Sequence, residues 1–95
     1  MKSDVKAVRQ TAAGGTGVIF AGRTRLRGII IESTDAATAG SVVLQDNTDS
    51  TTLFSAGVPA GDVFSFNLPE DGILFPGGMK SSTLSLANLT VLIDK

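Results

Sequence analysis

Three arginines alternate along one short stretch, Arg23-Thr24-Arg25-Leu26-Arg27. Alternate side chains of an extended chain share a face, so these guanidinium groups line up on one side, opposite Thr24 and Leu26. Such a row can grip phosphates or pair with carboxylates. Proteins that hold single-stranded nucleic acid add aromatic platforms for the bases. Here Phe20 is the one aromatic residue of the first half, and the isoelectric point is ≈ 5.1. A nucleic-acid-binding small barrel is therefore the weaker reading. An ion-paired contact with the acidic part of a neighbouring copy, or a solvated strand face, both suit the stripe.

Other polar clusters offer less. Asp46-Asn47-Thr48-Asp49 places oxygen ligands close together, as a hard cation prefers. Its spacing departs from the EF-hand loop, and Asx residues are ordinary turn formers, so it reads as a hairpin turn. Pro69-Glu70-Asp71-Gly72 reads as a turn for the same reason. Gly14-Gly15-Thr16-Gly17 lacks the Lys-Ser/Thr ending and following helix of a phosphate loop. It reads as a hinge.

The chain contains no His and no Cys. This removes the commonest general base, the commonest nucleophile activator and most transition-metal ligand sets. Carboxylate-only glycoside hydrolysis would need a cleft for a sugar ring, and there is no Trp or Tyr to stack on one. The sequence therefore predicts a protein that is not an enzyme, with no catalytic residue, no cofactor and no metal ligand.

The elements around these residues are strands. The chain has 95 residues, one domain of modest size. Its 42% apolar content suits a folded core, and its 18% charged content leaves Ser and Thr to fill much of the polar surface. Such a surface is cheap to desolvate against a partner. No apolar run approaches the ~20 residues of a membrane helix, and the start lacks an apolar signal core. We expect a protein made in the cytoplasm without a membrane anchor. Charge is uneven: residues 1–27 carry six basic residues against one acid, net +5, and residues 28–95 carry two against eight, net −6. Opposite poles can bring like subunits together, or the basic segment is an edge strand guarded against aggregation.

Helical periodicity is absent. Short apolar stretches recur between turn residues at roughly 8–12-residue spacing, as in a sandwich or barrel. Strands are expected at 5–10, 18–21, 23–33, 41–46, 51–55, 62–68, 73–75 and 84–94. Gly28 marks a bulge where the longest strand is re-aimed, and Ile29-Ile30-Ile31 reads as buried on both faces. Phe54, Phe64, Phe66 and Phe75 fall in the middle hairpins, which are expected to form most of the core. The prediction is an all-β, antiparallel two-sheet β-sandwich of seven to eight short strands, jelly-roll-like or Ig-like. Residues 1–17 form a flexible N-terminal arm and Gly-rich hinge, and residues 18–95 the sandwich domain.

Four stretches carry a likeness: Arg23-Thr24-Arg25-Leu26-Arg27-Gly28-Ile29-Ile30-Ile31, Gly40-Ser41-Val42-Val43-Leu44-Gln45-Asp46, Asp71-Gly72-Ile73-Leu74-Phe75 and Leu89-Thr90-Val91-Leu92-Ile93. Over about residues 20–94 the chain resembles small β-sandwich virion structural proteins of tailed bacteriophages, such as those of marine podoviruses and cyanophages. The resemblance rests on strand and turn patterns. It implies a virion protein present in many copies, as a capsid decoration or cement protein or a tail or fibre component. It also implies a homo-oligomer, a trimer by preference, whose partners are major capsid or tail proteins. Interface candidates are Lys2, Lys6 and Arg9 of the arm, the Arg23, Arg25 and Arg27 face and any exposed apolar positions of the edge strands. The alternative function is a carbohydrate- or receptor-binding module, against which the lack of Trp and Tyr argues.

Overall fold

The structure, a computed structural model, describes residues 5–12, 14–68 and 72–94. Lys2, Ala13 of the hinge and Pro69-Glu70-Asp71 of the expected turn lie outside the described residues. Among the described residues nine strands are present: β1 (Val5–Gln10), β2 (Gly17–Phe20), β3 (Thr24–Ser33), β4 (Gly40–Asp46), β5 (Thr52–Val58), β6 (Val63–Asn67), β7 (Ile73–Phe75), β8 (Met79–Ser85) and β9 (Ala87–Asp94). They form two sheets, one ordered β1-β9-β3-β6 with β7 also on β3, the other β2-β8-β4-β5. Every pairing is antiparallel.

The pairs are nested: β4 with β5, β3 with β6, β2 with β8, β1 with β9. The chain is thus one long antiparallel ribbon with its tip at the β4–β5 turn, rolled so that successive pairs fall in alternate sheets. That is a jelly roll, which decides between the two sandwich topologies left open by the sequence.

The strand beyond the expected seven to eight is β8. The sequence offered one closing strand from Leu84 to Asp94, but Leu86 has φ 52° and turns the chain from one sheet into the other. β8 escaped notice because Lys80-Ser81-Ser82-Thr83 holds no apolar residue to alternate. Gly40 lies beneath this crossing. A β-carbon there would come within 2.6 Å of the Leu86 carbonyl and 2.9 Å of the Ser85 carbonyl, so only Gly permits the approach.

The edge strand expected at residues 5–10 is present: β1 runs in continuous register with β9 from Val5↔Asp94 to Gln10↔Leu89, so this part of the expected arm is strand. Backbone pairing along the whole strand holds it on its own chain. Gln10 anchors it across to the second sheet, where the Ser81 hydroxyl donates to the Gln10 side-chain oxygen at 2.6 Å.

The bulge expected at Gly28 is present. In the β3–β9 ladder Leu26 faces Ile93 and Gly28 faces Leu92, so Arg27 is the surplus residue. This changes the parity of the inward positions. Thr24 and Leu26 point to the core before the bulge, Ile29 and Ile31 after it. Without a bulge, Leu26 and Ile29 would lie on opposite faces.

The core fills the space between the sheets with Leu26, Ile29, Ile31, Val42, Leu44, Phe75, Met79, Leu89, Val91 and Ile93 among others. Two sequence expectations fail here. Ile30 is 37% exposed, since the five-stranded sheet is covered on one face only. Of the four middle phenylalanines, Phe75 alone is fully buried. Phe54 and Phe64 are half-buried and Phe66 is exposed, because β5 and β6 are edge strands. The β9 residues Leu89, Val91 and Ile93 supply much of the central core instead.

Candidate interaction surface

The basic residues singled out from the sequence do not form one patch. Lys6 and Arg9 sit on opposite faces of β1, as even and odd positions must. The Lys6 ammonium lies 6.0 Å from the centre of the Phe20 ring, at the edge of the sandwich. Arg9 lies on the outer face of the five-stranded sheet, where its Nη1 donates to Glu32 Oε1 at 2.9 Å, reaching across β9 to β3. Arg23 precedes β3 and is exposed. Arg25 and Arg27 share the outer face, and Arg27 Nη1 donates to Asp94 Oδ2 at 3.0 Å.

The outer face is therefore a mixed-sign surface, with Arg9, Arg25 and Arg27 interleaved by Glu32 and Asp94. Two of the three guanidinium groups already hold carboxylates of their own chain. Both ion pairs are about half to a third exposed, so each contributes little, about 0.2–1 kcal/mol. A row of phosphates would have to displace these carboxylates. Glu32 and Asp94 could not be picked out from sequence, since they lie 23 and 67 residues from the arginines they meet.

Asp46-Asn47-Thr48-Asp49 makes the hairpin turn that its residues predict, and Asp46 holds it together. Asp46 is 3% exposed. Its Oδ1 accepts from the Gly77 N–H at 2.8 Å. Its Oδ2 accepts from the N–H groups of Thr48 at 3.0 Å and Asp49 at 3.2 Å. The Gly77 bond, opposed by burial and helped by the Asp49 and Thr48 bonds, holds the carboxyl below its ordinary 3.8. The side chain thus ties the β4–β5 turn to the Pro76-Gly77 turn and spends its lone pairs on backbone donors. This is an Asx turn with a long-range extra bond.

Exposed apolar positions on edge strands were expected as contacts, but the sequence did not locate them at β6. At the β6 edge, Val63 is 59% exposed, Phe66 43% and Ile30 37%. Phe64 and Phe66 occupy core-facing register opposite Ile31 and Ile29, yet β6 ends its sheet and the opposing sheet covers them poorly. Their rings stack on each other, 6.2 Å apart and 15° from parallel. Val63 and Ile30 belong to the other face. The strand is thus apolar on both faces and open along its free side. The clean alternation of Phe64, Phe66 and Leu68 suggested a core strand and concealed its edge position.

Among the described residues no helix is long and apolar enough to cross a membrane. A comparison with protein-family models, curated proteins and solved structures finds no match to this chain.

Proposed function

We propose that this chain is a structural subunit of a tailed-phage particle, a capsid decoration or cement protein or a tail component, with no catalytic chemistry of its own. Its work is to bind neighbouring virion proteins and reinforce the particle through non-covalent contacts, in the virion and after synthesis in the host cytoplasm. The observation that carries this reading is the open β6 edge, with Ile30, Val63 and Phe66 exposed on a chain that lacks His and Cys. Apolar surface beside an unpaired strand suits docking against protein and offers nothing to a reaction. The jelly roll supports it by analogy of fold alone, since that architecture recurs in viral coat and lectin domains. The strand and turn patterns described above supply the likeness to virion proteins.

Many copies along subunit seams would add weak contacts into a strong whole. The direct test mixes the purified protein with undecorated heads. Binding that raises the temperature of head disruption supports the cement reading, and a protein that neither binds nor protects overturns it.

A further inference from the structure

The β6 edge has a definite hydrogen-bonding pattern. The Ser33 N–H donates to the Asp62 carbonyl at 2.9 Å, and the Leu68 N–H to the Arg27 carbonyl at 3.0 Å. Antiparallel ladders alternate, so Phe64 and Phe66 also turn their N–H and C=O groups toward β3. Val63, Ser65 and Asn67 turn theirs away from the sheet. The Val63 N–H is capped by Asp62 Oδ1 at 2.8 Å. The Ser65 and Asn67 donors and the three carbonyls face outward.

We infer that a second copy of this chain pairs with that edge, β6 against β6 in antiparallel register about a two-fold axis at Ser65. The sequence of the strand is self-complementary about this residue. Ser65 exchanges both bonds with its own counterpart, Asn67 donates to the Val63 carbonyl of the other copy, and Phe64 of each copy faces Phe66 of the other. The two exposed stacks then merge into one four-ring cluster on the core-facing side. No residue from Val63 to Asn67 carries a charge that would resist the approach.

Charge supports the same orientation. Along β3 and β6 the described charges are Arg25 and Arg27 towards one end, Arg25 with β7 on its free side, and Glu32 and Asp62 at the other. Neither Arg25 nor Asp62 is in an ion pair among the described residues. A two-fold axis at Ser65 lays the basic end of each copy beside the acidic end of the other. Parallel pairing would set like against like. The two-fold contact is isologous and closes at two copies. The trimer implied by the resemblance draws on no feature of β6.

A seam of five residues is small, so dissociation in the micromolar range or weaker is expected. Sedimentation equilibrium from about 10 µM to 1 mM should show a species of twice the 9.7 kDa chain mass accumulating with concentration. Ser65→Lys places like charges directly opposite across the axis. It should weaken association at least tenfold and leave a cooperative thermal transition. Ser82→Lys, on an exposed position of β8 in the other sheet, should leave association unchanged. Amide exchange gives a second reading that needs no variant: the Ser65 and Asn67 amides should gain protection as concentration rises. A monomer at 1 mM, a trimer, or a dimer indifferent to Ser65→Lys with exchange at Ser65 independent of concentration would each overturn the inference. The inference does not rest on the virion reading. Head binding can fail while the dimer stands, and the dimer can fail while heads are still bound.

Discussion

Deleting Arg27 should be tolerated, and deleting Ile30, three residues along the same strand, should not. Arg27 faces no residue of its own on β9, so its removal closes the ladder into regular alternation, with Leu26 inward, Gly28 outward and Ile29 inward. The losses are local. One is the partly exposed ion pair with Asp94, about 0.2–1 kcal/mol. The other is the bond from the Leu68 N–H to the Arg27 carbonyl, about 0.5–1.5 kcal/mol. A total of about 1–2 kcal/mol predicts a fall in Tm of roughly 5–15 °C for a domain of this size. Deleting Ile30 leaves two repairs, both costly. Either Ile31 leaves the core and Glu32 enters it without a partner, or the bulge closes and Gly28 takes the buried place of Ile29. Each costs about 4 kcal/mol or more. A chain of this length has about 5–14 kcal/mol of stability in all. Urea and thermal unfolding followed by circular dichroism, with Arg27→Ala to isolate the side chain, measures both. If loss of Arg27 destabilises as much as loss of Ile30, residue 27 is not the surplus member of the ladder and the parity account fails.

Two further predictions concern the turn clamp and the phenylalanines. The folded-state pKa of Asp46 lies below its unfolded value near 3.8, so its contribution is fully present above that value and lost as pH falls through the folded pKa. Asp46→Asn should therefore be less stable at neutral pH and show a flatter loss of stability than the parent as pH falls below the unfolded value of 3.8; equal slopes would assign the acid limb to other groups. Phe75→Ala, at a fully buried site, should cost about 3–5 kcal/mol, whereas Phe66→Ala, measured on dilute protein, should cost about 1 kcal/mol or less. Comparable losses would mean that β6 is packed as a core strand.

The parts of the fold legible in the sequence are those where period-two alternation survives. β9 shows Leu89, Val91 and Ile93 on one side. β1 was legible only as a short stretch between turn residues, since Lys6 and Arg9 fall on opposite faces and break the alternation. The Gly28 bulge was readable because a glycine stands where the alternating arginine stripe gives way to the continuous isoleucine run. β8 was not, since a strand whose middle is Lys-Ser-Ser-Thr carries no apolar signature and is held by its neighbours β2 and β4. Whether Ile30 and Phe66 are buried is not a local property. It depends on which strands lie at the ends of a sheet and what the second sheet covers, and that is fixed by long-range pairing. The same holds for the surface: the arginines were visible, but their carboxylate partners come from strands brought alongside by the roll.

Among the described residues the four sheet edges are not alike, β6 sharing its edge with the three-residue β7. β1 carries Lys6 and Arg9 on its two faces, where a strand arriving alongside would bury charge. β2 has four residues and a register break at Ile19. β5 is interrupted by a register break at Leu53. Charge, shortness and bulges are the usual means by which a sheet edge is kept from pairing with other chains. β6, only five residues long, has neither charge nor register break over Val63–Asn67: its register with β3 runs unbroken from Gly28↔Asn67 to Glu32↔Val63, and it exposes apolar side chains on both faces. Its one guard is the Asp62 carboxylate on the Val63 N–H. A chain that guards its other edges and leaves β6 regular, uncharged and aromatic has that edge available for a strand from outside, which is what the proposed contact role would require.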